Sequence, residues 1–559
     1  MNKNRFRIIF NVARGVMMVV AEFVKSHTAC AESPVSSTTV STPSPSAVDA
    51  TVTIRPLAFA VMLALGLVGV VPNPITIKLA HADIIADPTA PANQRAVVMN
   101  AANGVPLVNI QAPSAAGVSR NTYSQFDVNT NGAILNNSRT NVQTQLGGYV
   151  QGNPNLAGGS ARIILNEVNS NNPSLLNGYV EVAGSRAQVV IANPAGISCN
   201  GCGFINASRT TLTTGAPIIN NGDLMGYRVG GGAINFLGAG LDTANSNYTD
   251  VIARAVNVNA GLWAQNLNII TGSNQVNVAS NGDVTGIATI SPNATLPDGS
   301  SNPTPGFAID VAALGGMYAG KIHMIGTEAG VGVRNAGSIG ASVGEVTIDA
   351  NGNLTNGNRI SSTTQTNINT ASISNTGGTI TAGQLLNINA NSLTGDGQLL
   401  SGGDATVTLS SDYTQTSAGE LRANGNLTFT TTGNLTNQSS LLAGNNLTLN
   451  AVNIDNTATA EIIGLNTQLN AANTLTNRGL IDGENTFIAA NTLNNIGTGS
   501  IFGNHVAIAA NTLNNLDETV NSTRNAATIA ARNRLDIGAL TINNQNNALM
   551  FSAGDMAIG

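Results

Sequence analysis

From about residue 330 onward the chain alternates apolar and small polar residues in short runs. Examples are EVTID (345–349), ATVTLS (405–410), LTFTTT (427–432), LTLNAV (447–452) and VAIAA (506–510), each bounded by Gly or Asn. Period-two alternation closed by turn residues is the signature of half-buried strands. A Gly precedes such a run at 383, 403, 425, 444, 464, 483 and 503, at spacings of 20, 22, 19, 20, 19 and 20. A second register follows through Leu435, Ile454, Leu475, Leu493 and Leu513 at spacings of 19, 21, 18 and 20. A period near twenty means one supersecondary unit per repeat. It is too short for paired helices, and the L-x-x-L-x-L pattern of leucine-rich repeats is absent. The expected fold is all-β: a right-handed parallel β-helix of about 20 residues per coil, each coil holding three short strands.

Stacked coils about 4.8 Å apart place like residues above one another, aliphatic ones inward. Asn and Thr are expected at corners and outer faces, where Asn tolerates left-handed backbone. Residues 83–559 would then form about 24 coils and at most about 110 Å of rod. Residues 83–325 are less regular and carry most of the aromatics, Trp263 and Pro-bearing insertions such as SPNATLPDGSSNPTPG. They predict a β-helical head with extra strands and a cap, since a bare solenoid end exposes strand edges and core.

Composition agrees with a thin core. Charged residues are 9% and aromatics 4% of the 559 residues, against roughly 25% charged in an ordinary domain. Mean hydropathy is +0.10, too apolar for charge-driven disorder. A net charge of -6 gives no reason to expect nucleic acid as a partner.

Residues 1–82 read as a cleaved leader, helical or disordered. Lys3, Arg5, Arg7 and Arg14 punctuate an apolar first segment, and SPVSSTTVSTPSPS follows. Arg55 then precedes the run PLAFAVMLALGLVGVV, and Ala80-His81-Ala82 fits the A-x-A pattern, with cleavage between Ala82 and Asp83. That apolar run falls short of the roughly 20 residues needed to cross a bilayer.

Cys30 lies in the leader, leaving Cys199 and Cys202 in CNGCG. A local disulfide, a redox-active pair and half of a zinc site compete. Zinc wants four ligands, and the mature chain offers only the distant His323 and His505; a thioredoxin-like centre needs a βαβ context. An oxidising periplasm favours the disulfide.

No metal or cofactor site is expected. β-Helices also host polysaccharide lyases and hydrolases, which need carboxylates converging on one face. Here the charges are scattered, with no carboxylate recurring at the coil spacing in a way that suggests a cleft, and no P-loop or H-E-x-x-H occurs. The chain is expected not to be an enzyme.

Five stretches carry a family resemblance: Asn153-Pro154-Asn155-Leu156, Asn193-Pro194-Ala195-Gly196-Ile197, YSQFDVNTNGAILNNS (123–138), ISCNGCGFIN (197–206) and IDVAALGGMYA (309–319). Together they resemble the secretion domain of two-partner secretion exoproteins, especially filamentous haemagglutinins and contact-dependent growth-inhibition exoproteins. The first 22 residues likewise resemble the extended signal region of very large Gram-negative secreted proteins, which is associated with slowed inner-membrane export. The resemblance covers nearly the whole chain. It implies a leader (1–82) handled by the inner-membrane export machinery, a secretion domain (83–325) and haemagglutinin repeats (326–559). It also implies that a dedicated outer-membrane β-barrel transporter recognises the head and passes the chain unfolded to the cell surface. The family usually has Asn where Ala195 stands, which puts a side-chain role there in doubt, while Pro and Gly still specify the turn. The implied function is an adhesin directed at an unknown host or neighbouring-cell receptor; the alternatives are the stalk of a contact-dependent toxin, or a secreted haemolysin. The chain ends within repeat-like sequence and is expected to be a piece of a longer exoprotein.

Overall fold

The computed structural model describes residues 83–559 and, in the leader, strands Phe6–Asn11 and Val16–Ala21. These two strands pair antiparallel, so the described part of the leader is extended rather than helical or disordered. Phe6, Ile8, Ile9, Phe10, Val16, Val19 and Val20 account for this: aromatic and β-branched residues favour strands. The apolar run 56–71, Cys30 and Ala82 lie outside the described residues.

Residues from 83 onward form a parallel β-solenoid of about 19 turns with about 21 residues per turn. Among the described residues there is no α-helix, only 3-10 turns at Ala92–Gln94 and Pro154–Leu156. The turns are fewer than the 24 expected because the head spends chain outside the coil. Strands Ala216–Asn220, Asp223–Val229, Asn274–Val278 and Val284–Thr289 make a separate antiparallel sheet. Its Leu224, Tyr227 and Val276 pack on Ile163, Leu165 and Val190 of the solenoid. At the N-terminal end Ile84–Ala86 runs antiparallel to Val118–Phe126, and a hairpin of Val97–Asn100 with Pro106–Asn109 pairs in parallel with Ala133–Asn137. These strands occupy the edge that the first coil would otherwise expose.

Inward columns of aliphatic residues hold the repeats together, and two of them show the pattern. Ile360, Ile380, Leu399, Leu421, Leu441, Ile462, Ile481 and Ile501 are successive register partners, all buried. Leu435, Ile454, Leu475, Leu493 and Leu513 form the second, the register read from the sequence. Each fully buried Leu or Ile contributes about 1.5–3 kcal/mol, so repetition replaces the large aromatic core. The glycines of the first register serve close approach: a Cβ on Gly444 would lie 2.0 Å from the carbonyl oxygen of Asn424 in the preceding coil.

The asparagines differ from expectation. Only Asn206, Asn221, Asn521, Asn546 and Asn547 have positive φ among the described residues. Instead Asn437, Asn456, Asn477, Asn495 and Asn515 are fully buried, and each donates Nδ2 to the next Oδ1 at 2.7–2.9 Å, the last to Asn544. A primary amide carries both donor and acceptor, so identical side chains at one coil spacing satisfy one another. That mutual satisfaction, and not left-handed geometry, accounts for the buried Asn column, while Asn426, Asn446 and Asn466 pair in the same way at the outer surface, where Asn was expected.

Candidate functional site

The two Asn-Pro motifs share one local construction. Asn153 precedes the 3-10 turn Pro154–Leu156, and its Oδ1 accepts the Asn155 N–H at 3.0 Å. Asn193 follows strand Ala187–Ala192, and its Oδ1 accepts the Ala195 N–H at 2.9 Å. In each case Pro fixes φ and has no N–H to place, so the Asn side chain closes the turn over it. Asn153 itself has φ -77 and contributes no positive φ.

The remaining amide protons tie each turn to an earlier coil. Asn153 Nδ2 donates to the carbonyls of Ile110 and Asn136, both at 2.9 Å, and Asn155 Nδ2 donates to Ile110 at 3.1 Å. Asn193 Nδ2 donates to the Asn172 carbonyl at 2.9 Å and to Ser174 Oγ at 3.0 Å. Both lead asparagines are buried, so losing either leaves several polar groups without partners. Leu156 and Ile197 anchor the turns in the main core. Ala195 supplies a backbone N–H and a half-buried methyl, so the bond that closes the turn needs nothing from its side chain. Gly196 holds φ +115, where any Cβ is strained.

The second motif continues into the cysteines within one coil. Strand Ile197–Cys199 lies between Ser174–Leu176 and Ala233–Phe236, and a disulfide joins Cys199 to Cys202 with Cα atoms 5.4 Å apart. Both cysteines are buried, so the bridge braces the corner after the one that Asn193 closes.

Sequence reasoning singled out the stretch 123–138 but not what its asparagines hold. Asn136 Nδ2 donates to Asn109 Oδ1 at 2.8 Å and to the Gln151 carbonyl at 2.9 Å. Asn137 Nδ2 holds the Ala161 and Ser185 carbonyls, both at 2.9 Å. An Asn-Asn doublet ending a strand was the available signal. A second cluster clamps the antiparallel sheet. Buried Arg209 donates to Asp250 at 2.5 and 3.1 Å and to Asp283 at 2.7 Å, and its guanidinium lies 4.8 Å from the Tyr248 ring centroid. The Arg209 bond holds the Asp283 carboxyl below the usual carboxylate range. Neither motif holds a titratable side chain; both are built to fix backbone geometry.

The head is thus a β-solenoid with Asn-Pro turns at two of its corners and an antiparallel sheet packed on its side. A family model described as a TPS secretion domain matches residues 82–356, and one described as the extended signal peptide of type V secretion systems matches residues 1–52. The chain belongs to the two-partner secretion exoproteins, and it is an exported protein. It is 54% identical over 378 residues to a protein named Toxin CdiA of Yersinia pestis, covering 67% of this chain and 11% of that one. It is 46% identical over 360 residues to the tRNA nuclease CdiA-2 of Burkholderia pseudomallei (strain 1026b), covering 63% and 10%. The chain thus spans about a tenth of the length of these relatives. The crystal structure of a filamentous hemagglutinin secretion domain is similar at 26% identity and a TM-score of 0.41, covering 64% of this chain and 98% of that one.

Proposed function

We propose that residues 83–325 are the part an outer-membrane β-barrel transporter recognises, and that residues 326–559 are a shaft exported behind them. The leader is taken by the inner-membrane export machinery and cut between Ala82 and Asp83, and the chain crosses the periplasm on its way to the surface. The observation that carries this reading is the secretion-domain match beginning at residue 82, behind an extended signal. The Asn-Pro turns and the Cys199–Cys202 bridge act by setting the fold of the head, and export depends on them through that fold.

Physical chemistry supports the route. Few charges and one local disulfide leave little to obstruct threading. Parallel pairing of distant segments folds slowly, which favours an unfolded chain before export, and each coil completed outside buries apolar surface on the last. The test is secretion of the chain from cells carrying its transporter. Asn153→Ala together with Asn193→Ala is expected to lower the secreted fraction, and Ala195→Asn to leave it unchanged. Normal secretion of the double variant would refute the role given to the motifs.

For the whole protein, the names of the relatives favour a shaft that presents a toxin to neighbouring cells over an adhesin for host cells. This segment then contributes reach and export, with no catalysis of its own. Surface display of the chain, scored for host-cell adhesion, separates the two: strong adhesion by this segment alone would decide for the adhesin.

A further inference from the structure

Asp127 is a buried carboxylate that nothing in the export reading uses. It stands in a corner between Phe126 and Val128, both in the main core. Its Oδ1 accepts the Leu175 N–H at 2.8 Å, and its Oδ2 accepts from Gln125 Nε2 at 2.6 Å. Among the described residues its carboxylate has these two donors, both neutral. Burial pushes it above the usual carboxylate range, and the nearby Asp83 carboxylate pushes the same way, against the two hydrogen bonds. A carboxylate taken out of water without a cation is costly. The corner wants positive charge.

The residue facing Asp127 is Asp83. Ile84 is the antiparallel partner of Phe126, and one step further out the Asp127 N–H donates to the Asp83 carbonyl at 3.2 Å. Residues paired through such a bond turn N–H and C=O toward each other, with Cα atoms about 5.5 Å apart. The backbone nitrogen of Asp83 therefore faces Asp127. While the leader is attached that nitrogen is an amide and carries no charge.

We propose that removal of the leader supplies the missing cation: the new α-ammonium group of Asp83 pairs with the Asp127 carboxylate and locks strand Ile84–Ala86 onto the first rung. The lock rests on cleavage between Ala82 and Asp83, as in the export reading. Water adds across that peptide bond; its oxygen goes to Ala82 as a carboxylate, and both its hydrogens go to the nitrogen of Asp83. An α-amino group titrates at about 8, so the product is charged at neutral pH. An ammonium has three donors where the amide had one, enough for the Asp127 carbonyl and its side chain together. Strand Ile84–Ala86 covers an edge of Val118–Phe126 that would otherwise stand open. A chain that keeps its leader has that edge closed by the looser version of the contact, so processing and completion of the head are coupled.

Residues 79–559 form one compact unit, so the chain is made from Asp83 to Gly559 behind a tag whose protease leaves no extra residue. Half of it is then acetylated at the α-amine in mild acid, where Lys321, the only lysine after residue 82, stays protonated and unreactive. Amide exchange of the two forms is compared at neutral pH. Acetylation is expected to lower the protection of residues 84–87 and 123–128 about tenfold, the loss of one hydrogen bond between charged groups, and to leave the shaft unchanged. In Asp127→Asn, which has no anion to pair, acetylation should make no difference. If Asp127→Asn loosens the strand by itself, the native sequence with and without the acetyl group still decides. Equal protection in those two forms, or a loss on acetylation that persists in Asp127→Asn, would overturn the ion pair. N-terminal sequencing of the secreted chain reads the cleavage point separately: a first residue other than Asp83 would overturn that reading, and the trigger with it.

Discussion

Asn456 donates its Nδ2 to the Oδ1 of Asn477, one coil further along, at 2.8 Å, while its own Oδ1 accepts from Asn437 at 2.9 Å. Both are fully buried. Inside the low-dielectric shaft such a chain of amides is strong when complete and damaging when cut, since an orphaned buried polar group loses water without replacement. Asn456→Ala is expected to destabilise the solenoid by about 1–3 kcal/mol, read from urea unfolding. Asn446 sits in a parallel but exposed ladder with Asn426 and Asn466. Asn446→Ala should stay within about 0.5 kcal/mol; equal effects at both sites would show that burial is not what matters.

The Arg209 clamp gives a second prediction. Arg209→Leu leaves Asp250 buried without its cation, a change that typically costs about 3–5 kcal/mol. Because Asp283 lies in the turn that joins strands Asn274–Val278 and Val284–Thr289, the loss should be local. Faster amide exchange and proteolysis are expected across residues 274–289, with strands beyond residue 360 unchanged. A uniform effect along the chain would contradict a local clamp.

Acid should loosen the same contact. The Asp283 carboxyl is held below its ordinary value by the Arg209 hydrogen bond, so the stabilisation is complete above the ordinary carboxylate pKa. It fades as pH falls through the lowered one. Exchange protection of residues 274–289 should therefore decline at acidic pH in the native chain. In Asp283→Asn that acid-dependent part should be missing.

The Cys199–Cys202 bridge closes a loop of sequence separation 3, so its entropic contribution is about 2 kcal/mol. Reduction, or the double change to Ala, should lower the unfolding midpoint modestly and leave the far-ultraviolet spectrum of a β-protein intact. Loss of folding on reduction would assign the bridge a larger part.

Charges inserted into the inward columns should stall export. Leu441→Asp with Ile462→Asp and Ile481→Asp breaks three successive rungs of one buried column. The secreted fraction should fall if folding outside drives the chain outward. Undiminished secretion would dismiss that coupling.

The shaft was legible because its period is nearly constant. Leu435, Ile454, Leu475, Leu493 and Leu513 could be aligned by counting, and the structure pairs them in that register. The buried Asn ladder was not, since an Asn two residues after an inward Leu looks the same whether it points in or turns a corner. The head was less readable still. Trp263 meets Tyr318 across 55 positions, because two strands of the outer sheet and a Pro-rich insertion interrupt the count. Arg209 and Asp283, 74 residues apart, carry no local signal at all. The Asn-Pro motifs were visible as turns, but not the way Asn153 and Asn193 reach back to older coils.

The outer sheet also imposes an order of arrival. Its first hairpin ends at Val229, and the strands that complete it begin at Asn274, with rungs of the solenoid coming between. A chain emerging N-terminus first must leave Leu224 and Tyr227 without the strand that carries Val276 until some 45 further residues have followed. For that interval the head is a provisional structure with a greasy flap, and only the appearance of residues 274–289 commits it.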